Sequence, residues 1–449
     1  MAITTVSIGS NQNISTVTPS SCSSVSTGIW DVTFTSTPSS DVAVGDMYAS
    51  DDSNTYGTFY YILTAISGST YTLKYVTDDM GSSTSPCNLV NESYEQAPGT
   101  FKRWFATATL FMDSLCSQPC SFGGNLYDGS NDIVGELHAD SDFTETGTYP
   151  ANAQQTGVTL TAYEADRHLG VIGNGVVWKP TANEEVIEIT YISIEDVPNK
   201  WTISWIEFDF SSFTGNIGVD VGEDDYEGAD VYITNNIFHS MSNHANNLNP
   251  IRFSGRGYIM NNMVYNITDD GDWAFAINLS QGSDAVGCYN NTVYKITNTG
   301  ADGANGIRTG DTDHLVKNNL VMTVTGAPAA CYLSDGGVSG SSDYNVGSDT
   351  SANSAFGSNS VNSAVLADTF EEYSTATATD FLRLKTGSAA IGVSEDLVTT
   401  PVGVNIDLNG FDRNSVAVDW DAGCFQFTTS LPPVASSTTN AAFLLFLEV

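Results

Sequence analysis

Four stretches of the chain place apolar and polar residues at the same offsets. They read ITNNIFHSM (233–241), IMNNMVYNI (259–267), CYNNTVYKI (288–296) and VKNNLVMTV (316–324). Three residues before the second Asn of each pair stand Ile233, Ile259, Cys288 and Val316. Two residues after it stand Phe238, Val264, Val293 and Val321, and five after it Met241, Ile267, Ile296 and Val324. The position four after is always polar: Ser240, Asn266, Lys295, Thr323. A second run follows, with Ile251, Ile277, Ile307 and Cys331, then Phe253, Leu279, Thr309 and Leu333 two places on. Only Thr309 interrupts these apolar columns.

In-and-out alternation marks short strands, and a fixed period marks a repeating supersecondary unit. The period is 26 to 29 residues. That is too long for a hexapeptide coil, and the runs are too β-rich for a helical solenoid. The pattern predicts an all-β chain whose centre is a right-handed parallel β-helix, with three strands per coil of about 27 residues. Stacked coils align each apolar column into a continuous core. The Asn pair suits the corner between two strands, because Asn tolerates the left-handed conformation. Amides stacked coil on coil also form a ladder, assigned to Asn236, Asn262, Asn291 and Asn319. A fainter copy, SDYNVGSD (342–349), brings Asn345 to the same place. Earlier coils are read in 157–180, 184–196 and 201–210.

The remaining chain divides by pattern. Residues 1–99 read as a small N-terminal β domain, a candidate anchor, with runs such as GTFYYILTAI and STYTLKYVT between polar turns. Residues 100–155 hold an entry segment and a capping helix at 101–115, where Trp104, Ala108, Phe111 and Leu115 share one face. The β-helix spans 156–350, closing coils 351–428, and a linker with an apolar tail 429–449. Both ends of a β-helix expose unpaired edges and need such caps.

Charge changes the functional picture. The chain carries 52 Asp+Glu against 14 Lys+Arg, a net −38. Such a surface repels nucleic-acid phosphates and anionic membranes and suits saline, marine water. The first residues lack the basic and apolar regions of a signal peptide, which implies a protein made in a host cytoplasm. The apolar run at the C-terminus is too short to span a bilayer. Seven scattered Cys form no disulfide framework. For CSQPC (116–120) a local disulfide, a metal and free thiols all remain open; Cys288 and Cys331 fall on core columns.

The segments 380–393 and 405–427 carry Leu384, Gly387, Ser388 and Ala390, then Asp407, Gly410 and Arg413, then Asp421 and Gly423. This sequence resembles the closing signature of right-handed β-helix proteins of the pectate-lyase-like superfamily. Cys424 and Gln426 depart from the family pattern. The resemblance implies a mostly structural role for these residues, closing the last coils. GELHADSDFTET (135–146) and DRHLGVIGNGVVW (166–178) resemble β-helix proteins encoded by tailed phages, particularly marine ones.

The fold alone assigns no chemistry. Polygalacturonase-like phrases are missing apart from Asp269–Asp270, and the five His lie in no catalytic context. Arg252 and Arg308 occupy equivalent outward points two coils apart and are the candidate glycan-binding residues, able to grip an acidic sugar. Acidic turns at 222–228 and 268–273 are candidate Ca²⁺ loops, though neither matches a known calcium-loop spacing; no other cofactor is expected. No catalytic residue is assigned. The expected function is a virion structural protein of a phage, a head decoration, fibre or tail component. Its partners are other virion proteins through the N-terminal domain and C-terminal tail, further copies of itself, and a host glycan. The alternative is a carbohydrate-active β-helix, either a tailspike depolymerase or a polysaccharide lyase or glycosidase.

Overall fold

The computed structural model describes residues 3–11, 13–26, 29–52, 57–78, 99–103, 106, 108, 110–111, 132–140, 142–150, 157–181, 185–190, 200–222, 230–243, 246–280, 286–398, 400–415 and 419–428. The fold is all-β, about 6% helical, and contains a β-solenoid of about six turns with parallel sheets. Two compact units emerge: Met1–Ser141 with Ala153–Tyr163, and Asp142–Asn152 with Glu164–Val449.

The first unit holds a seven-stranded antiparallel sheet. Its order is Ser15–Val17, Gly99–Lys102, Met47–Asp52, Gly57–Ser67, Thr70–Asp78, Ile29–Phe34, Pro19–Ser26. Aromatic rings fill its core, with Phe101 packed 5.1 Å from Tyr48 and 5.6 Å from Phe34. Phe101 and Lys102 therefore belong to a strand, not to the start of a helix; a fully buried ring at 101 serves the sheet. Ala108 and Phe111, at helical positions, are fully buried, and Phe111 lies against Gly135, where a side chain would strike its ring. Trp104 and Leu115 lie outside the described residues, as do CSQPC and the linker and tail at 429–449. Cys22 is disulfide-bonded. The first strand, Ile3–Ile8, leaves the antiparallel sheet and pairs in parallel with Asp132–Leu137, which pairs in turn with Gly157–Ala162.

The second unit contains three parallel ladders. The first runs through Lys200–Ser204, Asp230–Thr234, Arg256–Met260, Val286–Tyr289 and Leu315–Lys317. The second runs through Val177–Trp178, Glu207–Asp209, Ile237–His239, Met263–Asp269, Thr292–Asn298, Leu320–Thr325 and Val346–Gly347. The third runs through Gly147–Pro150, Ile187–Thr190, Ile217–Val221, Asn249–Phe253, Ala274–Leu279, Ala304–Thr309 and Ala329–Ser334. One core column on the second ladder starts with stacked rings, Trp178 on Phe208 and Phe208 on Phe238 at 4.8 Å, and continues as Val264, Val293 and Val321. All six are fully buried.

Each Asn pair sits at the corner from the first ladder to the second, and its two members do different work. The second Asn points inward. The Oδ1 of Asn262 accepts from the backbone N–H of Asn236 (2.9 Å) and from its Nδ2 (3.2 Å). The same double contact joins Asn262 to Asn291, Asn291 to Asn319 and Asn319 to Asn345. Each amide also donates to a backbone carbonyl, as Asn262 does to Ile233 at 2.8 Å. The first Asn takes the left-handed conformation, with φ of 56, 57, 54 and 60° at Asn235, Asn261, Asn290 and Asn318. The polar position four after the pair is left-handed too: Ser240, Asn266, Lys295 and Thr323 have φ between 56 and 62°.

Two expectations are corrected. On the third ladder Tyr332 and Ser334, not Cys331 and Leu333, align with Ile307 and Thr309. The Tyr332 hydroxyl donates to the carbonyls of Asn319 and Val346, so an aromatic residue with a polar tip fills the inner column. Beyond the strand Val346–Gly347 the described residues of 351–428 carry only short helices and isolated bridges, among them the parallel pair Val346–Val361. The chain turns back along the outer face of the second ladder, where Phe370, Phe381, Leu382, Leu384, Leu408 and Phe425 cover Ile237, Met263, Tyr265, Tyr294, Leu320 and Met322.

The returning segment is fastened by the first Asn of each pair. Asn318 holds Glu395 at both amide atoms (2.9 and 3.0 Å), Asn290 and Asn261 donate to the Val404 carbonyl, and Asn235 donates to Ile406 and Asp407. Its far end is knotted around fully buried Arg413, which donates to the carbonyls of Asp421 and Gly423 and to Gln426 Oε1. Asp407 and Asp421 accept from backbone N–H groups of Asn409, Phe411, Gln426, Gly392 and Phe427. Gly423, at φ 98°, lies so close to the second ladder that a Cβ would sit 2.6 Å from Thr292 Oγ1.

Replacing Asn262 with Leu leaves the amides above and below without a buried partner. It is expected to lower stability by about 1–3 kcal/mol, read as a shift of the denaturant midpoint at constant slope. Gly423→Ala combines a left-handed backbone with that collision and is expected to cost more than about 1 kcal/mol. Limited proteolysis of this variant should release the 352–428 segment before the solenoid is cut.

Candidate functional site

Ladder three exposes the residues that sequence spacing singled out. Arg252 pairs in register with Asp220 on one side and Asn278 on the other, and Asn278 pairs with Arg308. Arg252 and Arg308 thus stand two coils apart on one column, with Asn278 between them. Both already hold carboxylates. Arg252 forms a two-point ion pair with buried Asp220, its Nε 2.7 Å from Oδ1. The Arg308 guanidinium donates to Asp335 (2.7 Å) and to Asn278 Oδ1 (3.1 Å). Its Cζ also lies 5.4 Å from the centroid of the Phe275 ring, and that ring stacks on Trp273 at 5.8 Å and 6°. Asn278 passes the chain of contacts on to Asn249 at 2.8 Å. The four ladder asparagines are interior and make no part of this surface.

Ladder two carries a second group of titratable side chains that no spacing revealed. His239 Nε2 lies 3.0 Å from Glu207 Oε1, its Nδ1 is 2.9 Å from Ser240 Oγ and 3.8 Å from Asp209 Oδ1, and its ring stacks on Tyr265 at 5.0 Å. Glu207 also accepts from the Gly173 N–H at 2.6 Å. Burial, aided by the Glu207 and Asp209 charges, holds the Tyr265 phenol protonated above its ordinary range. Lys179 is bonded to Asp142, which raises its pKa, with further support from Asp209 and Glu207. Side chains are 3% exposed at Glu207 and 7% at His239, so the group is largely covered.

His168 is buried beside the Asn corner. Its Nδ1 accepts from the Gly170 N–H and its Nε2 donates to the Asn235 carbonyl, both at 3.0 Å. Desolvation lowers its pKa to about 3, and neighbouring Arg167 adds repulsion. The free thiols Cys288, Cys331 and Cys424 are buried and held protonated for the same reason.

Of the two acidic turns, 223–228 lies outside the described residues. At 268–273 Asp269 is buried and accepts from the N–H groups of Asp270 and Gly271, which makes it a turn-forming side chain. Among the described residues no three His, Cys, Asp or Glu side chains gather as a metal site. No protein-family model matches the chain, and neither the curated proteins nor the solved structures give a match.

The His168 environment sets a pH dependence. The folded state keeps the ring neutral while the unfolded chain binds a proton below about 6.5. Stability from this group is therefore complete above pH 6.5 and falls as pH drops toward 3. The loss is about 1.4 kcal/mol per pH unit. The melting temperature of the parent should fall more steeply between pH 6.5 and 5 than that of His168→Gln, in which this proton linkage is gone.

Proposed function

We propose that the chain is a non-enzymatic structural protein of a phage particle, displaying a right-handed solenoid of three-stranded coils on a head, fibre or tail. The observation that supports this reading best is the double fastening of each corner: one Asn joins coil to coil while its neighbour ties down the returning segment. Repeated at successive coils, this fastening is internal to the solenoid, as a structural element requires. The likeness of residues 135–146 and 166–178 to phage β-helix proteins supplies the setting. Attachment falls to the N-terminal sheet and to the apolar segment at 443–447, against neighbouring copies or other particle proteins.

The test is cryo-electron tomography of phage particles carrying this chain, labelled with antibody against the repeats. Label on the particle surface is expected. Particles that lack the chain, with the protein found free in the lysate, would end the reading. Truncation after Thr429 should leave a folded solenoid that fails to join the particle.

A second reading, a glycan-cleaving solenoid, has one observation in its favour. Glu207 and Asp209 are alternate residues of one strand, with His239 near both. Incubation with alginate, pectin and host surface polysaccharide should release no reducing ends and no unsaturated products. Turnover that is abolished in Glu207→Gln would establish the enzyme reading instead.

A further inference from the structure

We infer that the outer surface of the third ladder binds a neutral saccharide, seated on Trp273 and held by Asn305 and Arg308. The inference is independent of where the chain is displayed. It concerns a surface and a ligand class, not a particle.

Three observations converge here. Asn305 is 2% exposed, and its Nδ2 has no hydrogen-bond partner. A buried donor left unpaired is costly, and such a group needs an explanation. In register it stands opposite Phe275. That ring contacts both partly buried Trp273 and the Arg308 guanidinium. Trp273 in turn lies against Gly303, where a Cβ would come within 2.4 Å of the indole. A residue without a side chain at 303 thus lets the ring settle close to the ladder. Finally, Arg308 is shared between Asn278 and Asp335, whose side chain is 56% exposed.

This combination specifies the ligand chemistry. An aromatic face offers stacking to the apolar C–H side of a pyranose. Few, fixed polar groups beside an apolar platform are the usual make-up of a small-molecule site. The Asn305 Nδ2 donates to a sugar oxygen, Arg308 donates to another, and Asp335 accepts from a hydroxyl. Because Arg308 and Asp335 neutralise one another, the surface offers both donors and acceptors with little local charge. The chain as a whole is at −38, so an anionic polymer is repelled before it arrives. The ligand is therefore a neutral glycan, which revises the expectation of an acidic sugar that the two arginines raised when read without their partners.

The test is isothermal titration of the full chain with cellohexaose, chitohexaose and mannohexaose, alongside alginate oligomers as the anionic comparison. At least one neutral probe should bind, with an affinity that does not change from low to high salt. Trp273→Ala should weaken that binding by about tenfold or more, with Lys200→Ala on the first ladder as the unaffected control. Circular dichroism melting checks that each variant is folded. If Trp273→Ala does not fold, Arg308→Lys and Asn305→Ala take its place, and each should weaken binding. The inference is overturned if none of the three neutral probes binds, if only alginate binds, or if the folded variants bind like the parent.

Discussion

The solenoid depends on a line of buried amides. Asn262 shows the scheme: its carbonyl oxygen accepts two hydrogen bonds from Asn236, while its amide and backbone N–H donate to Asn291 and its amide also reaches the Ile233 carbonyl. The corner between the first two ladders would otherwise leave backbone N–H and C=O groups facing an apolar interior, where each unmade bond carries a desolvation penalty. An amide is suited to the position because it is both donor and acceptor without charge. Its geometry fixes the register of neighbouring coils as well, since an amide that slips by one residue loses both partners.

That corner also decides what happens outside. The chain turns through a left-handed residue at each of these corners; the residue is again Asn in four coils, with Trp205, followed by Ile206, and Tyr344, followed by Asn345, in the flanking ones. Its side chain projects away from the core and finds the carbonyls of the 395–407 segment. One dipeptide thus satisfies the inside and the outside of the same bend. Covering the second ladder follows from this fastening. The strands there bury both faces, and the knot around Arg413, Asp407 and Asp421 closes the cover. Burial raises the pKa of both carboxylates and lowers that of the arginine, but each acid also receives backbone hydrogen bonds and the charge of Arg413. A buried ion cluster is tolerated where most of its polar atoms are met in this way; Arg413 Nε and Gln426 Nε2 are the exceptions.

How much of this was legible varies with the physics of each element. The inner columns could be read because stacking forces residues at fixed offsets to meet, and apolar residues at 233, 238, 241 and their repeats left no other period. The division of labour within the Asn pair could not, because the carbonyls that the first Asn meets belong to a segment far along the chain. The outward burial of the second ladder had a signal in the near-continuous apolar runs MVY and LVM, which mark a strand covered on both sides. A reading based on alternation followed only one of their faces. Tyr332, and not the neighbouring buried Cys331, stands in register with Ile307, because its ring fits there with a bonded hydroxyl, a property that a hydrophobic pattern does not record. The described residues of 352–428 form only short helices and isolated bridges, so they offer no strand periodicity to read. Glu207 and His239 escaped notice for the simplest reason: among 52 acidic residues, no spacing distinguishes the one that meets a histidine a coil later.

The three ladders end in different surroundings, and this difference narrows where recognition can occur. The second is sealed by the returning segment. The first presents Tyr289 and Met260, buried against Val404 and Trp420 of that same segment, so much of its apolar surface is used internally. On the third, the outward residues are paired with one another across coils: Asp220 with Arg252, Asn249 with Asn278, Asn278 with Arg308. Such pairing neutralises charge on a strongly acidic chain while keeping hydrogen-bonding atoms at the surface. It explains why the two arginines are not free cations, and why they still matter. Held by their partners, they form a polar strip that reaches the Trp273–Phe275 stack at Arg308. A solenoid needs only its interior to stack. A strip of donors, acceptors and one aromatic face on its third ladder is the part of the sequence that coil stacking leaves unexplained.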